Sequence, residues 1–279
     1  MTDIFEFSHR KPRFAVIGNP VSHSKSPEIH RMFGEQAGIE LDYTAIHIDS
    51  GGLEQAIRNM QAGGFLGLNV TIPFKQKVYA LSDHLSLNAQ IARAVNTVRF
   101  DPNDIIFGDN TDGIGLVNDL ESNLNREIRD SRLLIIGAGG AVRGILGPLL
   151  SAKPESLVIA NRTFDKAVSL ANSFSWAGSI NASSFHQLHG KKFDIIVNGT
   201  STSLTGENLH LPNTIFSKES LAYDMMYGDK ETPFMNWARA NGVGQAIDGL
   251  GMLVEQAAAS FELWHQKRPD TLPVIRSLR

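Results

Sequence analysis

The chain has 279 residues, 42% of them hydrophobic, which is enough for one large domain or two modest ones. A formal net charge of −3 argues against nucleic acid or an anionic membrane as the main partner. The lack of cysteine excludes disulfides, thiolate metal sites and cysteine nucleophiles. No apolar run reaches the roughly eighteen residues of a membrane-spanning helix. The first residues do not have the pattern of a secretory signal, so we expect a cytoplasmic protein.

Strands and helices alternate in the N-terminal half, which predicts an α/β fold with a parallel sheet. After a loosely ordered lead-in over residues 1–12, the predicted strands are Arg13–Gly18, Leu41–Ile48 and Phe65–Val70, then a hairpin of Ala94–Val98 with Ile105–Gly108. The predicted helices are Pro27–Ala37, Leu53–Gln61, Ser86–Ala92 and Ile114–Leu124. Ser26 is the predicted N-cap of the first helix, and Thr111 or Asp112 that of the last.

Two polar segments follow the ends of predicted strands, where open α/β sheets bind ligands. The loop after the first strand carries Ser22 and Ser24, which are suited to a small carboxylate. From spacing alone, local turn bonding by these serines is the preferred interpretation. Asn69, Thr71 and Lys75 follow the third strand and supply hydrogen-bond donors and a cation. An exposed lysine at a helix start is the commoner fate of a residue such as Lys75.

The chain is organised around Arg132–Gly147, which reads RLLIIGAGGAVRGILG. An apolar strand, a glycine-rich turn at Gly137, Ala138, Gly139, Gly140 and Ala141, and an apolar helical pattern follow one another. This order gives a glycine motif its meaning, because the turn lets a pyrophosphate approach the free N–H groups of the next helix. Val142 stands where the general dinucleotide fingerprint has glycine or alanine, so an ordinary strand-to-helix turn also fits the pattern.

The end of the next predicted strand favours NADP over NAD. A dinucleotide site normally places a carboxylate there for the ribose 2′-hydroxyl, but this chain has Asn161, Arg162 and Thr163, followed by Lys166. An arginine at this point can pair with a 2′-phosphate and stack on adenine. A solvated helix start is the alternative interpretation of Arg162 and Lys166.

The second half continues as alternating strands and helices. Its predicted strands are Leu133–Ile136, Ser156–Ala160, Phe193–Val197, Leu221–Asp224 and Val243–Ile247, and its predicted helices are Val142–Leu150, Thr232–Asn241 and Leu250–Trp264, with an irregular loop over Asn208–Ser217. The segment 198–201 ends one strand, where a nicotinamide ribose fits. Met225 ends the next strand, where core filling is an equally good interpretation. We place the domain boundary near Asp112.

The chain resembles the shikimate dehydrogenase family over essentially its full length. The resemblance rests on nine segments in the family's order, which are 22–27 (SHSKSP), 69–75 (NVTIPFK), 94–97 (AVNT), 108–113 (GDNTDG), 137–141 (GAGGA), 161–163 (NRT), 198–201 (NGTS), 223–227 (YDMMY) and 248–256 (DGLGMLVEQ). It implies reversible NADPH-dependent reduction of 3-dehydroshikimate to shikimate, in the shikimate pathway to chorismate and aromatic amino acids. It also implies two α/β domains. Residues 1–111 with 250–279 would bind substrate, and residues 112–249 would form a Rossmann-type NADP domain.

The resemblance also implies roles for individual residues. Ser22 and Ser24 would hold the substrate carboxylate, so carboxylate binding replaces local turn bonding as the favoured interpretation of this loop. Lys75 and Asp112 would be the catalytic pair. The other implied substrate contacts are Asn69, Thr71, Asn96, Tyr227 and Gln256. The implied cofactor contacts are Gly137, Ala138, Gly139, Gly140, Ala141, Asn161, Arg162, Thr163, Lys166, Thr200, Met225 and Gly249, where the small residue of the family's turn is Ala141.

The sequence is also compatible with three other hypotheses of function. A broader quinate/shikimate dehydrogenase should tolerate NAD, and Arg162 argues against it. A folate-type dehydrogenase with the same two-domain plan leaves the loop of Ser22 and Ser24 unexplained. A non-catalytic NADP-binding sensor has no need of Lys75 or Asp112, yet both are present. The expected partner is a small-molecule substrate, and the expected assembly is a monomer or a homodimer.

Overall fold

A computed structural model describes residues 11–200 and 211–279. Residues 1–10 of the predicted lead-in, Ser201 and the first residues of the predicted loop over Asn208–Ser217 lie outside the described residues. Within the described part, twelve strands form two six-stranded sheets. The prediction of two α/β units is therefore confirmed. No helix within the described ranges is long and apolar enough to cross a membrane.

The first sheet is mixed rather than fully parallel. Its strands are β1 (Arg13–Gly18), β2 (Asp42–His47), β3 (Phe65–Val70), β4 (His84–Leu85), β5 (Thr97–Asp101) and β6 (Ile105–Asp109), in the order β2-β1-β3-β5-β6-β4. β1 pairs in parallel with β2 and β3, whereas β5 is antiparallel to both β3 and β6. The predicted hairpin of β5 and β6 explains the difference. Asn103 and Asp104 adopt positive φ values of 63° and 60°, which closes a tight turn between antiparallel strands.

The four helices that precede β5 are α1 (Ser26–Ala37), α2 (Leu53–Ala62), α3 (Lys75–Leu81) and α4 (Leu87–Ala92). Three of them match their predicted bounds to within one residue, and the sequence analysis gave no range for α3. The prediction of Ser26 as the N-cap of α1 is wrong, because Ser26 is already helical and Lys25 occupies the cap position without a side-chain bond. The Ser24 hydroxyl instead accepts the backbone N–H of Ser26 at 3.2 Å.

The helix after the first sheet also differs from its prediction. It begins as α5 (Asp112–Asn118) and continues as a turn of π-helix over Asp119–Asn123. Thr111 lies at the cap position but its hydroxyl caps nothing. The reason is competition, since that hydroxyl accepts a hydrogen bond from the amide of Asn96 at 2.9 Å. Neither Thr111 nor Asp112 therefore acts as the predicted N-cap.

The second sheet is parallel throughout its described pairings. Its strands are β7 (Arg132–Ile136), β8 (Ser156–Ala160), β9 (Ile180–Ser183), β10 (Ile195–Asn198), β11 (Leu221–Asp224) and β12 (Gln245–Ile247), in the order β12-β11-β10-β7-β8-β9. Its helices are α6 (Gly140–Ser151), α7 (Phe164–Ser173) and α8 (Pro233–Ala240). Leu133–Ile136 is buried on both faces, as expected of a central parallel strand. The sequence analysis did not predict the edge strand β9, because it is short and only partly apolar.

The C-terminal helices return to the first sheet. They are α9 (Leu250–His265) and α10 (Leu272–Ser277). The indole N–H of Trp264 in α9 donates to the backbone oxygen of Val98 at 2.9 Å, and its ring stacks on Phe14 at 4.5 Å. α9 also packs closely against α5, since a Cβ on Gly115 would lie 2.8 Å from the backbone nitrogen of Gln256. The chain thus crosses twice between the two sheets, along α5 and again before α9.

Candidate active site

Lys75 and Asp112 meet at the centre of the site. Lys75 is the first residue of α3 and Asp112 the first residue of α5, so both project from helix starts at the edge of the first sheet. Lys75 Nζ lies 2.6 Å from Asp112 Oδ2, and the two side chains are 29% and 12% exposed. The pair is sheltered but reachable, which suits proton exchange with a bound molecule.

Asn96 holds the other oxygen of this carboxylate. Its amide nitrogen donates to Asp112 Oδ1 at 2.8 Å and to the hydroxyl of Thr111 at 2.9 Å. Its amide oxygen accepts the backbone N–H of Thr111 at 2.9 Å. A third acceptor, Gln256 Oε1, lies 3.3 Å from the same nitrogen. Asn96 therefore joins Asp112 and Gln256 and orients the carboxylate that faces Lys75.

Asn69 lies on the other side of Asn96, in an equally buried polar cluster. Its amide nitrogen donates to Ser260 Oγ at 2.9 Å and to Thr97 Oγ1 at 3.2 Å. Its amide oxygen accepts the hydroxyl hydrogen of Tyr43 at 2.7 Å. The motifs predicted Asn69 but not its partners Tyr43, Ser260 and Thr97. For Ser260, the only sequence signal of such a contact was its position as a polar residue on an apolar face of α9. For Tyr43, the sequence offered nothing beyond a preference for strands.

The remaining predicted substrate contacts line the same region less tightly. Ser22 is exposed, and its hydroxyl lies 3.2 Å from Nδ1 of His23. Ser24 donates to the hydroxyl of Ser26 at 3.1 Å, so the turn bonding favoured by spacing is present. Thr71 is partly exposed and packs so close to β1 that a Cβ on Gly18 would lie 2.4 Å from its methyl group.

Two further predicted contacts come from the second half of the chain. Gln256 donates to the backbone oxygen of Leu253 at 2.8 Å, which leaves its amide oxygen directed to the cluster around Asn96. Tyr227 follows β11 and is partly buried. Burial raises the pKa of its hydroxyl, which favours the protonated phenol as a hydrogen-bond donor.

The glycine-rich turn forms a cradle that fits a dinucleotide pyrophosphate. Gly137 has a φ of +111°, and a Cβ there would lie 3.1 Å from the methyl group of Thr200. A Cβ on Gly139 or Gly140 would meet nothing within 4 Å, so the backbone at the start of α6 is open. No side chain caps α6, which leaves its first N–H groups available to an anion. Ala138 and Ala141, the other small residues of the turn, are partly or fully exposed.

The residues predicted at the 2′-phosphate subsite surround the start of α7. Asn161 donates to the backbone oxygen of Thr163 at 2.9 Å, which shapes the turn after β8. Arg162, Thr163 and Lys166 are exposed. β8 reads SLVIA and ends without a carboxylate of its own, as the sequence predicts.

Met225 and Gly249 meet by a close backbone approach. A Cβ on Gly249 would lie 2.4 Å from the carbonyl oxygen of Met225, so any larger residue would displace this loop. Asp224, which the site prediction omitted, is fully buried and accepts the amide hydrogen of Asn198 at 3.1 Å. The Asn198 amide oxygen in turn accepts the hydroxyl of Thr200 at 2.7 Å. These two side chains order the loops that carry Thr200 and Met225.

Three family models together match most of the chain. One described as shikimate dehydrogenase substrate binding domain matches residues 16–98, and one described as shikimate / quinate 5-dehydrogenase matches residues 119–211. A third, described as shikimate 5'-dehydrogenase C-terminal domain, matches residues 249–279.

Curated relatives and solved structures agree with these matches. The NADP(+) shikimate dehydrogenase of Aromatoleum aromaticum is 49% identical over 270 residues, which is 96% of each chain. That of Dechloromonas aromatica is 50% identical over 266 residues, or 95% of this chain and 97% of the relative. An Ael1 enzyme from Pseudomonas putida superposes with a TM-score of 0.92 at 44% identity, covering 96% of this chain and 98% of that one. The Thermus thermophilus shikimate 5-dehydrogenase in complex with NADP(H) and shikimate gives a TM-score of 0.84 at 32% identity, covering 95% and 98%.

The parallel second sheet carries an open glycine cradle, and α5 joins it to the first sheet, beside which lies the sheltered lysine–carboxylate pair. This combination defines a dinucleotide-dependent oxidoreductase. The relatives narrow this class to a single family, because they match nearly the whole chain at about half identity. The chain belongs to the shikimate dehydrogenase family.

The buried His30 makes the stability of the folded protein depend on pH. It is fully buried in α1 and its ring nitrogens make no hydrogen bond with any described residue. Burial lowers the pKa of His30 to about 3, with a smaller lowering from His265 and an opposing contribution from Asn69. The folded state therefore keeps His30 neutral at pH values where the unfolded chain is protonated.

We predict that acidification removes the stability contributed by neutral His30. Its folded pKa of about 3 lies below the ordinary histidine pKa of 6.5, so this stability is fully present above about pH 6.5 and is lost as the pH falls towards the folded pKa. The free energy of unfolding should fall by about 2 kcal/mol more in the wild type than in His30→Phe between about pH 6.5 and about pH 4.5. Urea titrations at each pH measure this. The exposed-site control His189→Gln should follow the wild type, and equal losses in wild type and His30→Phe would refute the prediction.

Proposed function

We propose that this protein catalyses the reversible NADPH-dependent reduction of 3-dehydroshikimate to shikimate. The observation that carries the proposal is the 2.6 Å contact of Lys75 with Asp112 beside the cofactor helix. A Cβ on Gly144 of α6 would lie 3.6 Å from Asp112 Oδ2, so the carboxylate lies against the helix that begins at the glycine cradle. Relatives at about half identity carry the name NADP(+) shikimate dehydrogenase, which supports the same reaction.

In the proposed mechanism, Lys75 handles the proton. The bound nicotinamide supplies the hydride, and reduction of a ketone leaves negative charge on its oxygen. Lys75 Nζ donates a hydrogen bond to that oxygen and delivers a proton, and in the oxidation direction it accepts the hydroxyl proton. Asp112 fixes the position of the amine, and Asn96 fixes the position of Asp112 by holding its second oxygen at 2.8 Å.

The substrate contacts in this proposal follow the arrangement of polar groups. Ser22 and Ser24 hold the carboxylate, for which their loop offers two hydroxyls at the edge of the site. The ring hydroxyls meet the polar side chains Asn69, Thr71, Asn96, Tyr227 and Gln256. All of these except Tyr227 lie on the first sheet, on the loops that leave it or on α9, which supports a substrate domain of residues 1–111 with 250–279 and a cofactor domain of residues 112–249.

The proposed cofactor is NADP, held by the cradle at Gly137–Ala141. Arg162 and Lys166 meet the 2′-phosphate, and the absence of a carboxylate at the end of β8 supports this choice over NAD. Thr200, Met225 and Gly249 face the nicotinamide end, while Asn161 and Thr163 shape the adenosine end. The NADP(+)-dependent relatives and the Thermus structure with NADP(H) support the assignment. We further propose a cytoplasmic location and a monomeric or homodimeric assembly.

A direct assay tests the proposed function. Absorbance at the reduced-nicotinamide band should rise rapidly with shikimate and NADP, and slowly or not at all with quinate or NAD. Comparable rates with quinate or NAD would replace the proposal with a broader quinate/shikimate dehydrogenase. A folded protein that binds NADP but turns over no pair would favour a sensor instead.

Lys75→Ala should lower kcat by at least about a hundredfold with little change in KM, because an acid–base group is lost. The matched control is Lys77→Ala on the same helix, whose amine reaches only the backbone oxygen of Ser50 at 3.4 Å. Steady-state kinetics with shikimate and NADP measure both variants. A near-normal kcat in Lys75→Ala would remove this residue from proton transfer.

Arg162→Ala should raise KM for NADP far more than KM for NAD, because only NADP carries the 2′-phosphate. Arg129→Ala is the control, since this exposed arginine precedes β7 and so lies at the N-terminal ends of the strands, away from the glycine turn. Initial rates over a range of each cofactor provide the comparison. An equal effect on both cofactors would contradict the assigned subsite.

A further inference from the structure

Asn69 has a hydroxyl group on each side of its amide. Tyr43 on β2 donates its hydroxyl hydrogen to the amide oxygen at 2.7 Å. Ser260 on α9 accepts from the amide nitrogen at 2.9 Å. Tyr43 and Ser260 lie 217 residues apart, outside all nine family segments, and the fold brings them to the same side chain. Asn69 is thus held from both ends, with 5% of its surface exposed.

The surroundings of Asn69 permit one orientation of its amide. Its nitrogen also donates to the backbone oxygen of Asn96 at 3.3 Å, and this carbonyl accepts the N–H of Val70 at 2.8 Å as well. A carbonyl cannot donate, so a flipped amide would place two oxygens against each other. The Ser260 hydroxyl lies 3.1 Å from the backbone oxygen of Gln256 and 2.7 Å from Thr97 Oγ1, and its oxygen accepts the Asn69 amide hydrogen whichever of these two groups takes its own hydrogen.

Tyr43 is itself held in place. Its ring is buried and stacks on His30 with centroids 4.2 Å apart and planes 8° from parallel. Burial raises the pKa of the Tyr43 hydroxyl well above its ordinary value, so the phenol keeps the hydrogen that it donates. His30 is neutral at ordinary pH, which adds no charge beside this donor.

Counting hydrogen-bond valences shows what Asn69 has left to offer. The amide nitrogen has two hydrogens, and three acceptors surround it in Ser260, Thr97 and the backbone of Asn96. The amide oxygen has two lone pairs, of which Tyr43 occupies one. The ring nitrogens of the neighbouring His30 make no hydrogen bond, so within residues 11–200 and 211–279 the remaining valence is a single lone pair on the oxygen.

We propose that Tyr43 and Ser260 are positioning residues that hold the Asn69 amide oxygen ready to accept a hydrogen bond from a hydroxyl of the substrate. The proposal rests on the role of Asn69 in the proposed function, and it adds the direction of that hydrogen bond. A hydroxyl group satisfies this acceptor, whereas a keto group at the same carbon has no hydrogen to give and leaves it unpaired. Asn69 thus selects for a substrate that carries a hydroxyl at the matching ring position.

A double-mutant cycle tests the proposal. Tyr43→Phe should raise KM for shikimate about three- to tenfold, the range expected for one lost hydrogen bond. KM for NADP and kcat should stay within about twofold, since a lost substrate contact acts on binding. In the Asn69→Ala background, Tyr43→Phe should change KM for shikimate no further, because its effect passes through Asn69. Ser260→Ala should also raise KM for shikimate, and most of this rise should disappear in the Asn69→Ala background, where only the contacts of Ser260 with Thr97 and Thr111 remain to be lost.

Two matched controls accompany the cycle. Tyr79→Phe removes a hydroxyl that has no hydrogen bond within residues 11–200 and 211–279. Ser151→Ala removes a hydroxyl that, like that of Ser260, bonds the carbonyl four residues earlier, here Gly147 at 3.0 Å. Both variants should match the wild type in KM for shikimate. Thermal unfolding and circular dichroism check that each variant is folded, and if Tyr43→Phe does not fold, the Ser260→Ala cycle decides.

The outcomes separate this proposal from the proposed function. If the wild type turns over shikimate and the effects of Tyr43→Phe and Asn69→Ala simply add, the positioning role is refuted while the enzyme assignment stands. An equal rise in KM for NADP, or no rise in KM for shikimate, refutes it as well. If the wild type does not turn over shikimate, both proposals fall together.

Discussion

The hydrogen bonds of the Asn96 side chain hold the two halves of the site in register. Its amide nitrogen fixes Asp112 at 2.8 Å, and its amide oxygen fixes the N–H of Thr111 at 2.9 Å. Asn96 immediately precedes β5 in the first sheet, whereas Thr111 and Asp112 begin the helix that leads to the cofactor sheet. The start of α5 is therefore set by a side chain of the first sheet rather than by an N-cap of its own. Lys75 Nζ lies 2.6 Å from the carboxylate whose other oxygen Asn96 holds.

Burial makes each hydrogen bond of this cluster matter for stability. Asn69, Asn96, Thr97, Thr111 and Ser260 are all at most 5% exposed, and each buried polar group must find a partner inside the protein. Each partner is another side chain of the same cluster or a backbone group beside it. Losing one therefore leaves an unsatisfied group behind, which costs about 1–3 kcal/mol. A densely paired network of this kind rigidifies the wall of the site.

The sequence predicted elements and site residues best where a hydrophobic pattern or a family segment marked them. Short apolar runs predicted β1, β3 and β8 to the residue, and the glycine turn at Gly137 predicted a helix that begins two residues after the observed start of α6. Family segments predicted the meeting of Lys75 with Asp112, which no periodicity contains. Tyr43 and Ser260 could not be predicted, because their function arises from a contact between β2 and α9 that only the folded chain creates. The predicted cap at Thr111 failed for the same reason, since the tertiary partner Asn96 bonds its hydroxyl. The predicted cap at Ser26 failed because its helix begins one residue earlier than predicted.

Two glycines set how closely the cofactor and substrate parts approach. Gly113 faces α6, where a Cβ would lie 2.6 Å from the ring of Pro148 and 2.8 Å from the carbonyl of Gly144. Gly115 faces α9, where a Cβ would lie 2.8 Å from the backbone of Gln256. α5 is thus in near-backbone contact on both sides, with the cofactor helix on one and the substrate helix on the other. Backbone contacts adjust less than side-chain contacts, so the spacing between α6 and α9 is set by the chain itself. Asp112, one residue before the first of these glycines, takes its position from the same constraint.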